Sequence, residues 1–439
     1  MNDDAAVGAG DAGPVRAEPS NVWNLYTDRQ RWVFLAILFL VNTSNYIDRQ
    51  LMSVLIEPIK REFAASDTQM GLLSGFAFAF FYAILGIPVA RIADRGDRKL
   101  VITVSLALWS AATALCGMVA SFWQMFVARV LVGVGEAGAI PPSQSLLADY
   151  FEPQRRTRAL AIFMSAATAG YLVAFIAGAQ IAAAYGWRMA FIIMGIPGIL
   201  LALITWFGLK EPRRLPGRWP AKADIEPLGQ TFRALLSKKS YVLLTTATVL
   251  YFLVAYGAFI WIPPYMQRVL GVDLATIGPL YGGLSAVGTV VGTLTGGYIT
   301  DKLSQRNLKW QAYTPALALL ISCPLYVTAL SVDSFSGFLV LSFLAGLPLA
   351  AAVPAMFGLI HLVCGSSRRA TAVAINLFFA NLIGLGLGPV ITGFLSDKFT
   401  EQYGAVGLRY AIVIALLMLL PAAFAYWRLA RYLEDDTEA

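Results

Sequence analysis

The segment Val41-Asn-Thr-Ser-Asn-Tyr-Ile-Asp-Arg-Gln50 sets adjacent opposite charges, Asp48 and Arg49, inside an apolar run from Trp32 to Ile56. A run of that length can cross a bilayer, and within the hydrocarbon layer a charged side chain is tolerated only where it faces protein, a partner of opposite sign or a water-filled path. The chain is therefore expected to span a membrane and to carry a polar interior, as a protein that moves a solute does.

Of the 439 residues, 58% are apolar and 13% charged, whereas a soluble domain is about one quarter charged. Apolar stretches recur at 32–56, 69–92, 100–119, 122–149, 158–184, 189–209, 240–267, 274–300, 312–331, 336–362, 370–397 and 407–430. The spacing predicts an all-α integral membrane protein with twelve transmembrane helices. Cytoplasmic loops carry the excess of Lys and Arg. With the amino terminus inside, the outer segments hold Lys60, Arg61, Arg188, Arg268, Lys398 and Arg409, and nearly all the remaining basic residues lie inside. Both termini are then cytoplasmic and the chain is multi-pass. A bacterial inner membrane is the expected host. The net charge of +7 is distributed over short loops, which suits anionic lipid headgroups and requires no nucleic acid.

Residues 1–30 lack an apolar core and read as a disordered cytoplasmic tail rather than a cleaved leader. A proline-rich basic stretch, 210–239, divides the chain into bundles at 31–209 and 240–430, and 431–439 form a second tail. Leu228, Phe232 and Leu235 follow helical spacing, so the second half of this linker is expected to be an amphipathic helix lying on the inner membrane surface. Cys116, Cys323 and Cys364 have no disulfide or metal spacing. Without a phosphate loop, H-E-x-x-H or G-x-S-x-G, neither ATP use nor enzyme activity is expected, and no cofactor or metal.

The two halves repeat in register. Gly133 and Pro141 match Gly346 and Pro354 at an offset of 213 residues, as Arg156, Ala159 and Ala161 match Arg369, Ala372 and Ala374. Asp94-Arg95 corresponds to Asp301-Lys302 at an offset of 207. A consistent offset across loops argues for duplication, and parallel halves mark one large transporter class.

The loop Ala90-Arg-Ile-Ala-Asp94-Arg95-Gly96-Asp97-Arg98-Lys99 resembles the major facilitator signature G-x-x-x-D-R-x-G-R-K, departing from it at Ala90 and Asp97. The resemblance covers all twelve spans and implies two pseudo-symmetric six-helix halves that alternate access to a central site. Asp94, in such a fold, would meet the start of a helix in the other half, beside Arg368 or Arg369, because exposed backbone N–H groups favour an anion. Asp301 would meet Arg156 or Arg158 in the mirror arrangement. With Arg95 and Arg98, these residues form the expected inner gate. The alternative is a set of solvated loop charges.

A narrower resemblance rests on Asn45-Tyr46-Ile47-Asp48-Arg49 and on Arg129-Val-Leu-Val-Gly133-Val-Gly135-Glu136-Ala137. Together with Asp94 to Lys99, these are similar to the Spinster branch, whose members are linked to export of sphingolipid-derived and lysophospholipid-type amphiphiles. Organic-anion symporters of the same superfamily carry a similar first helix.

On a helix, Asn42, Asn45, Tyr46 and Arg49 share one stripe, expected to face the central cavity, with Arg49 as the anion anchor. Asp48 lies about 100° further round and should face a neighbouring helix. Arg129 and Glu136, two turns apart on one face, would each cost about 2.5 to 3.5 kcal/mol facing lipid. Pairing of Asp48 with Arg129 and of Glu136 with Arg49 is one solution. Such a charge network is either a static packing lattice or a proton relay in which Asp48, or else Glu136, carries the coupled proton. Asn376 and Asn381 are further cavity candidates, and Glu136 a further substrate contact. Tyr251, Phe252, Tyr256, Phe259 and Trp261 could line an acyl path, and His361 reads as an interfacial polar cap.

The expected function is proton-coupled secondary transport of a lipid-like anion of the sphingoid phosphate or lysophospholipid type, in partnership with protons and membrane lipids. A transporter of small carboxylates is the alternative, and a non-transporting receptor a remote one. The carboxy-half spans hold no central Lys or Arg, which favours an amphiphile. One chain supplies both halves, so a monomer is expected.

Overall fold

The computed structural model describes residues 22–214, 228–364 and 369–436. Its helices are α1 (Asp28–Phe63), α2 (67–95), α3 (Arg98–Cys116), α4 (Phe122–Tyr150), α5 (Pro153–Tyr185), α6 (Trp187–Gly208), the short α7 (Leu228–Leu236), α8 (Lys239–Arg268), α9 (Leu274–Ser304), α10 (Trp310–Ser331), α11 (Phe335–Val363), α12 (369–403) and α13 (407–429). Apart from α7, these are twelve rods in two six-helix halves, α1–α6 and α8–α13. Rods α2 to α6 and α8 to α13 account for the stretches long and apolar enough to cross a membrane, α12 and α13 running as one apolar segment. Helix α1 falls short of that measure because Asn42, Asn45, Asp48 and Arg49 interrupt its run.

Local sequence explains the starts and breaks. Thr27 and Ser66 each close a capping box, with Gln30 and Gln69, at the starts of α1 and α2, which satisfies backbone donors that a helix start leaves unpaired. Asp97 and Asp273 cap α3 and α9. Helix α4 is interrupted between Glu136 and Ile140, just before Pro141 and Pro142, where proline removes backbone donors. The linker helix α7 lies against the carboxy half, Leu235 being buried and the ring of Phe232 lying 6.5 Å from that of Phe379.

The start of α1, the end of α13 and α7 share one face of the bundle, here the termini face. The opposite, far face joins the halves. Asp397 on α12 accepts from the backbone N–H of Asp67 and of Thr68, each at 2.8 Å, so a carboxylate from one half caps the helix start of the other. Arg268 reaches Asp67 with both terminal nitrogens, at 2.6 and 2.7 Å, and also pairs with Glu57. Lys60 and Ser396 complete the shell around Asp67, each at 2.6 Å. At the tip of α1, Arg188 and Trp187 donate to Glu62 and hold its carboxyl below the ordinary carboxylate range.

The contact between a carboxylate and a helix start, expected at the inner gate, is thus made on the far face by Asp397. Of the expected inner-gate residues, the side chains of Asp94, Arg95 and Arg369, and Arg368 entirely, lie outside the described residues. Asp301 is exposed on α9 and is not brought to Arg156 or Arg158. Arg158 is exposed as well, its guanidinium lying 5.7 Å from the ring of Trp32.

Arg98 serves the amino half itself. It is buried, donates to Glu211 Oε1 and Asp149 Oδ2 at 2.6 Å each, and reaches Ser145 Oγ at 2.9 Å. Glu211 also accepts from the Arg98 backbone at 2.8 Å. One arginine thereby ties the start of α3 to α4 and to the segment after α6. Removing a single partner of a buried pair strands the other charge, at a cost of about 3 to 5 kcal/mol. Glu211→Ala should therefore lower the unfolding midpoint of the detergent-solubilised protein by several degrees, with Arg98→Ala matching it. A thermal melt showing no loss for either variant would remove this clamp from the account.

Candidate functional site

The centre of the bundle is built where α1, α2 and α4 meet. Glycines allow the approach: a Cβ on Gly133 would stand 2.4 Å from the Phe78 carbonyl oxygen, and one on Gly135 would stand 2.7 Å from the Trp109 backbone nitrogen. Helix α4 can therefore lie directly on α2 and α3, carrying Arg129 and Glu136 into the interior. Both are 1% exposed, as is Asp48.

Arg49 Nε donates to Glu136 Oε2 at 2.7 Å. Its guanidinium lies 4.6 Å from the ring centre of Tyr82, 5.0 Å from Phe78 and 5.5 Å from Tyr46. Desolvated contacts of this kind contribute about 2 kcal/mol or more. Arg49 Nη2 is buried without a partner, as is Glu136 Oε1. The pair is thus singly bonded, and each member keeps an unused polar atom.

Arg129 lies 5.6 Å from the Phe78 ring and donates through Nη1 to the backbone carbonyl of Asp48 at 3.5 Å, a weak bond. The Asp48 carboxylate itself has neither oxygen in a full hydrogen bond. Trp109 and Thr113 of α3 and Arg129 of α4 surround it. Asp48 therefore faces away from the cavity, into the packing between α1 and α3. Two arginines and two carboxylates balance to zero net charge, which their burial in an apolar bundle requires.

Between the halves lies a cavity of about 330 Å³. The charged side chains in its described wall are Arg49 and Arg129, both from the amino half. Tyr251, Tyr256, Phe259, Tyr281, Tyr326 and Phe343 supply the carboxy-half wall, together with small hydroxyl residues. The cavity is cationic on one side, and aromatic and uncharged on the other. Such a shape can take an anionic head at the arginines and an apolar body against the rings.

The polar stripe divides. Tyr46 and Arg49 reach the cavity wall. Asn42 turns aside, donating to the Phe163 carbonyl at 3.0 Å, and Asn45 is fully buried beside Glu136. Glu136 stands behind Arg49 and is not itself part of the wall. Asn376 is also placed away from it, because its amide is held by Thr245 at 3.2 Å and Thr248 at 3.5 Å on α8. Asn381 is half-buried on α12 and likewise off the wall. Of the aromatic residues on α8, Tyr251, Tyr256 and Phe259 line the cavity, whereas Trp261 is buried and donates to the Pro389 carbonyl at 3.2 Å. His361 is exposed at the end of α11.

Phe78, Tyr82, Trp109 and Thr113 were not anticipated. Aromatic and hydroxyl residues are ordinary in apolar helices, and only the packing of α2 and α3 on α1 sets these four around the charges. The far-face residues Asp67, Arg268 and Asp397 were equally hidden, since each reads as a common loop charge.

The Major Facilitator Superfamily model matches residues 38–332. An "MFS-type efflux pump" of Mycolicibacterium smegmatis is 35% identical over 415 residues, covering 93% of this chain and 95% of that protein. The "Sphingosine-1-phosphate transporter SPNS2" of Danio rerio is 26% identical, covering 92% of this chain and 85% of its own. Among solved structures, a bacterial homolog to the human lysosomal transporter Spinster, inward-facing and unoccupied, superposes with a TM-score of 0.85 at 30% identity, over 94% of this chain and 100% of that one.

The arrangement predicts a contrast between two variants. Arg49→Ala should weaken binding of an anion that enters the cavity about ten- to a hundredfold, as loss of a charged hydrogen bond does. Asn376→Ala, which leaves the wall intact, should stay within about threefold of the native affinity. A binding titration in detergent reads both, and equal losses would place the anion contact elsewhere.

Proposed function

The chain belongs to the major facilitator superfamily, and on that premise we propose that it is a secondary active transporter of a lipid-like anion, of the sphingoid phosphate or lysophospholipid type, coupled to protons. The observation that carries this reading is the one-sided cavity, with Arg49 and Arg129 on the amino-half wall and aromatic rings without charge opposite. A small hydrophilic carboxylate would call for a compact polar site with a second basic contact from the carboxy half, and the described wall offers none. The likeness to a sphingosine-1-phosphate transporter and to a Spinster homolog supports the same class of cargo.

Coupling follows from competition for Arg49. A phosphate or carboxylate head takes the planar fork of an arginine in two parallel bonds. Arg49 now spends Nε on Glu136 and leaves Nη2 unused, so a bound anion draws the guanidinium from Glu136. The released carboxylate turns to Asn45 or Arg129, and Arg129 is then drawn from Asp48. A proton restores the balance, and Asp48 is the site where accepting it breaks no full hydrogen bond. Protonating Glu136 would instead remove the charge to which Arg49 returns once the anion leaves. One unit of pH difference supplies about 1.36 kcal/mol per proton, enough for tenfold accumulation at one-to-one stoichiometry.

The basic residues on the termini side orient that face toward the cytoplasm, so closure of the far face makes this state inward-facing, in a bacterial inner membrane. The bundles at 31–209 and 240–430 are the rocking units, and a single chain suffices.

Proton movement in liposomes, driven by lysophospholipids, sphingoid phosphates or small carboxylates, tests the reading. Amphiphiles should drive flux in the native protein. Asp48→Asn should abolish flux while binding survives, and Arg49→Ala should lose both. A response to small carboxylates alone would transfer the protein to organic-anion transport, and amphiphile transport without proton flux would return Asp48 to a structural role.

A further inference from the structure

Of the signature loop, Arg98 is held by Glu211 and Asp149, whereas the ammonium of Lys99 beside it makes no hydrogen bond or ion pair among the described residues. Lys99 is 9% exposed, and its ammonium comes to the surface 5.1 Å from the ring centre of Trp206. A lysine so placed buries its alkyl stem and keeps its charged end in a polar layer.

The charges around it do not balance. Two further cations, Arg214 and Lys210, act on the Lys99 ammonium against one carboxylate, Asp97. Asp97 is committed elsewhere, accepting from the Leu100 backbone at 2.8 Å and pairing with Arg214. The other carboxylates close by face Arg98, and Glu211 also accepts from the backbone of Arg213 at 3.1 Å. Among these described side chains, Lys99 and Lys210 are left without a counter-charge. The matching place in the carboxy half differs: Lys309, just before α10, has Glu434 at 3.2 Å.

The excess charge sits at one depth. Lys99 opens α3, and Trp206 lies two residues before the end of α6, both at the termini face. These two helices are neighbours, since a Cβ on Gly195 of α6 would stand 2.6 Å from the Ala114 backbone nitrogen of α3. Leu100 and Val104 on α3, with Leu203 and Phe207 on α6, are exposed along the outside of the bundle. An apolar surface on two adjacent helices therefore ends in a tryptophan, a residue typical of headgroup depth, and in two uncompensated lysines.

We infer that this corner of the amino half is a binding site for an anionic phospholipid of the termini-side leaflet. Lys99 and Lys210 take its phosphate groups beside Arg214, and its acyl chains run along Leu100, Val104, Leu203 and Phe207. Basic pockets between membrane helices hold such heads, and two uncompensated cations suit a head with two phosphates. None of these residues belongs to the cavity wall, so the site is separate from the transport path and does not depend on which solute is carried.

Native mass spectrometry of the full chain in a non-ionic detergent, titrated with cardiolipin or with phosphatidylcholine, tests the site. Cardiolipin should bind at least about tenfold more tightly. Lys99→Gln and Lys210→Gln should each weaken cardiolipin binding about fivefold, and together about twentyfold or more, as loss of surface cations near an anionic head does. Lys309→Gln should match the native protein, and so should Arg49→Ala, which alters only the cavity. Lys210 is exposed, so Lys210→Gln carries the test if Lys99→Gln does not fold. Equal binding of phosphatidylcholine, native affinity in the folded lysine variants, or an equal loss in Lys309→Gln would overturn the inference. Loss of cardiolipin in Arg49→Ala would move the lipid into the cavity, and its displacement by inorganic phosphate would make this a site for free phosphate; either result also overturns it.

Discussion

The pair between Arg49 and Glu136 is the interaction on which the rest of the interior depends. An uncompensated charge in a low-dielectric bundle costs several kcal/mol, so Arg49 can face the cavity only with a carboxylate close behind it. Glu136 can occupy that place only because Gly133 and Gly135 let α4 lie flat on α2 and α3. The same approach brings Phe78 and Tyr82 against the guanidinium and Arg129 over the Asp48 backbone. The glycines, the rings and the second ion set therefore share one physical cause.

The architecture was legible in the sequence because the bilayer imposes a strong pattern. About 20 apolar residues are needed for each crossing, and the stretches read from hydropathy lie within a few residues of the observed rods. Helix α1 shows how the two kinds of information compete. The residues that lower its hydropathy are the ones that set polar and charged groups in its interior, so a weak membrane signal and a strong signal of a polar interior come from the same Asn42, Asn45, Asp48 and Arg49.

The site was legible only in part, and the reason is geometric. Helical spacing states which residues share a face, but not which neighbour that face meets. Asn42 and Tyr46 lie one turn apart on one stripe, yet Tyr46 reaches the cavity while Asn42 turns to a carbonyl on α5. Asn376 is as polar as any cavity residue, but its amide nitrogen donates to two threonines on α8, and nothing in its own helix announces them. The far-face clamp was hidden for a related reason. Asp67, Arg268 and Asp397 are distant in sequence, and their charges are unremarkable until the halves dock.

Closure of the far face combines two contacts of different character. At the outer end, Asp67, Arg268 and Asp397 make charged hydrogen bonds around a carboxylate that is 1% exposed, so they part only as water enters to solvate each partner. Deeper in, α2 meets α12 at Gly75 and α9 meets α5 at Gly278, backbone to backbone, and separation there exposes closely packed surface. A solute shifts such an equilibrium only through unequal affinity for the two states. The charged cluster lies beyond the cavity wall, whereas Ser74, Phe175, Tyr281 and Leu385, beside the deep contacts, belong to it. The solute's leverage therefore falls on the deep contact rather than on the charged cluster.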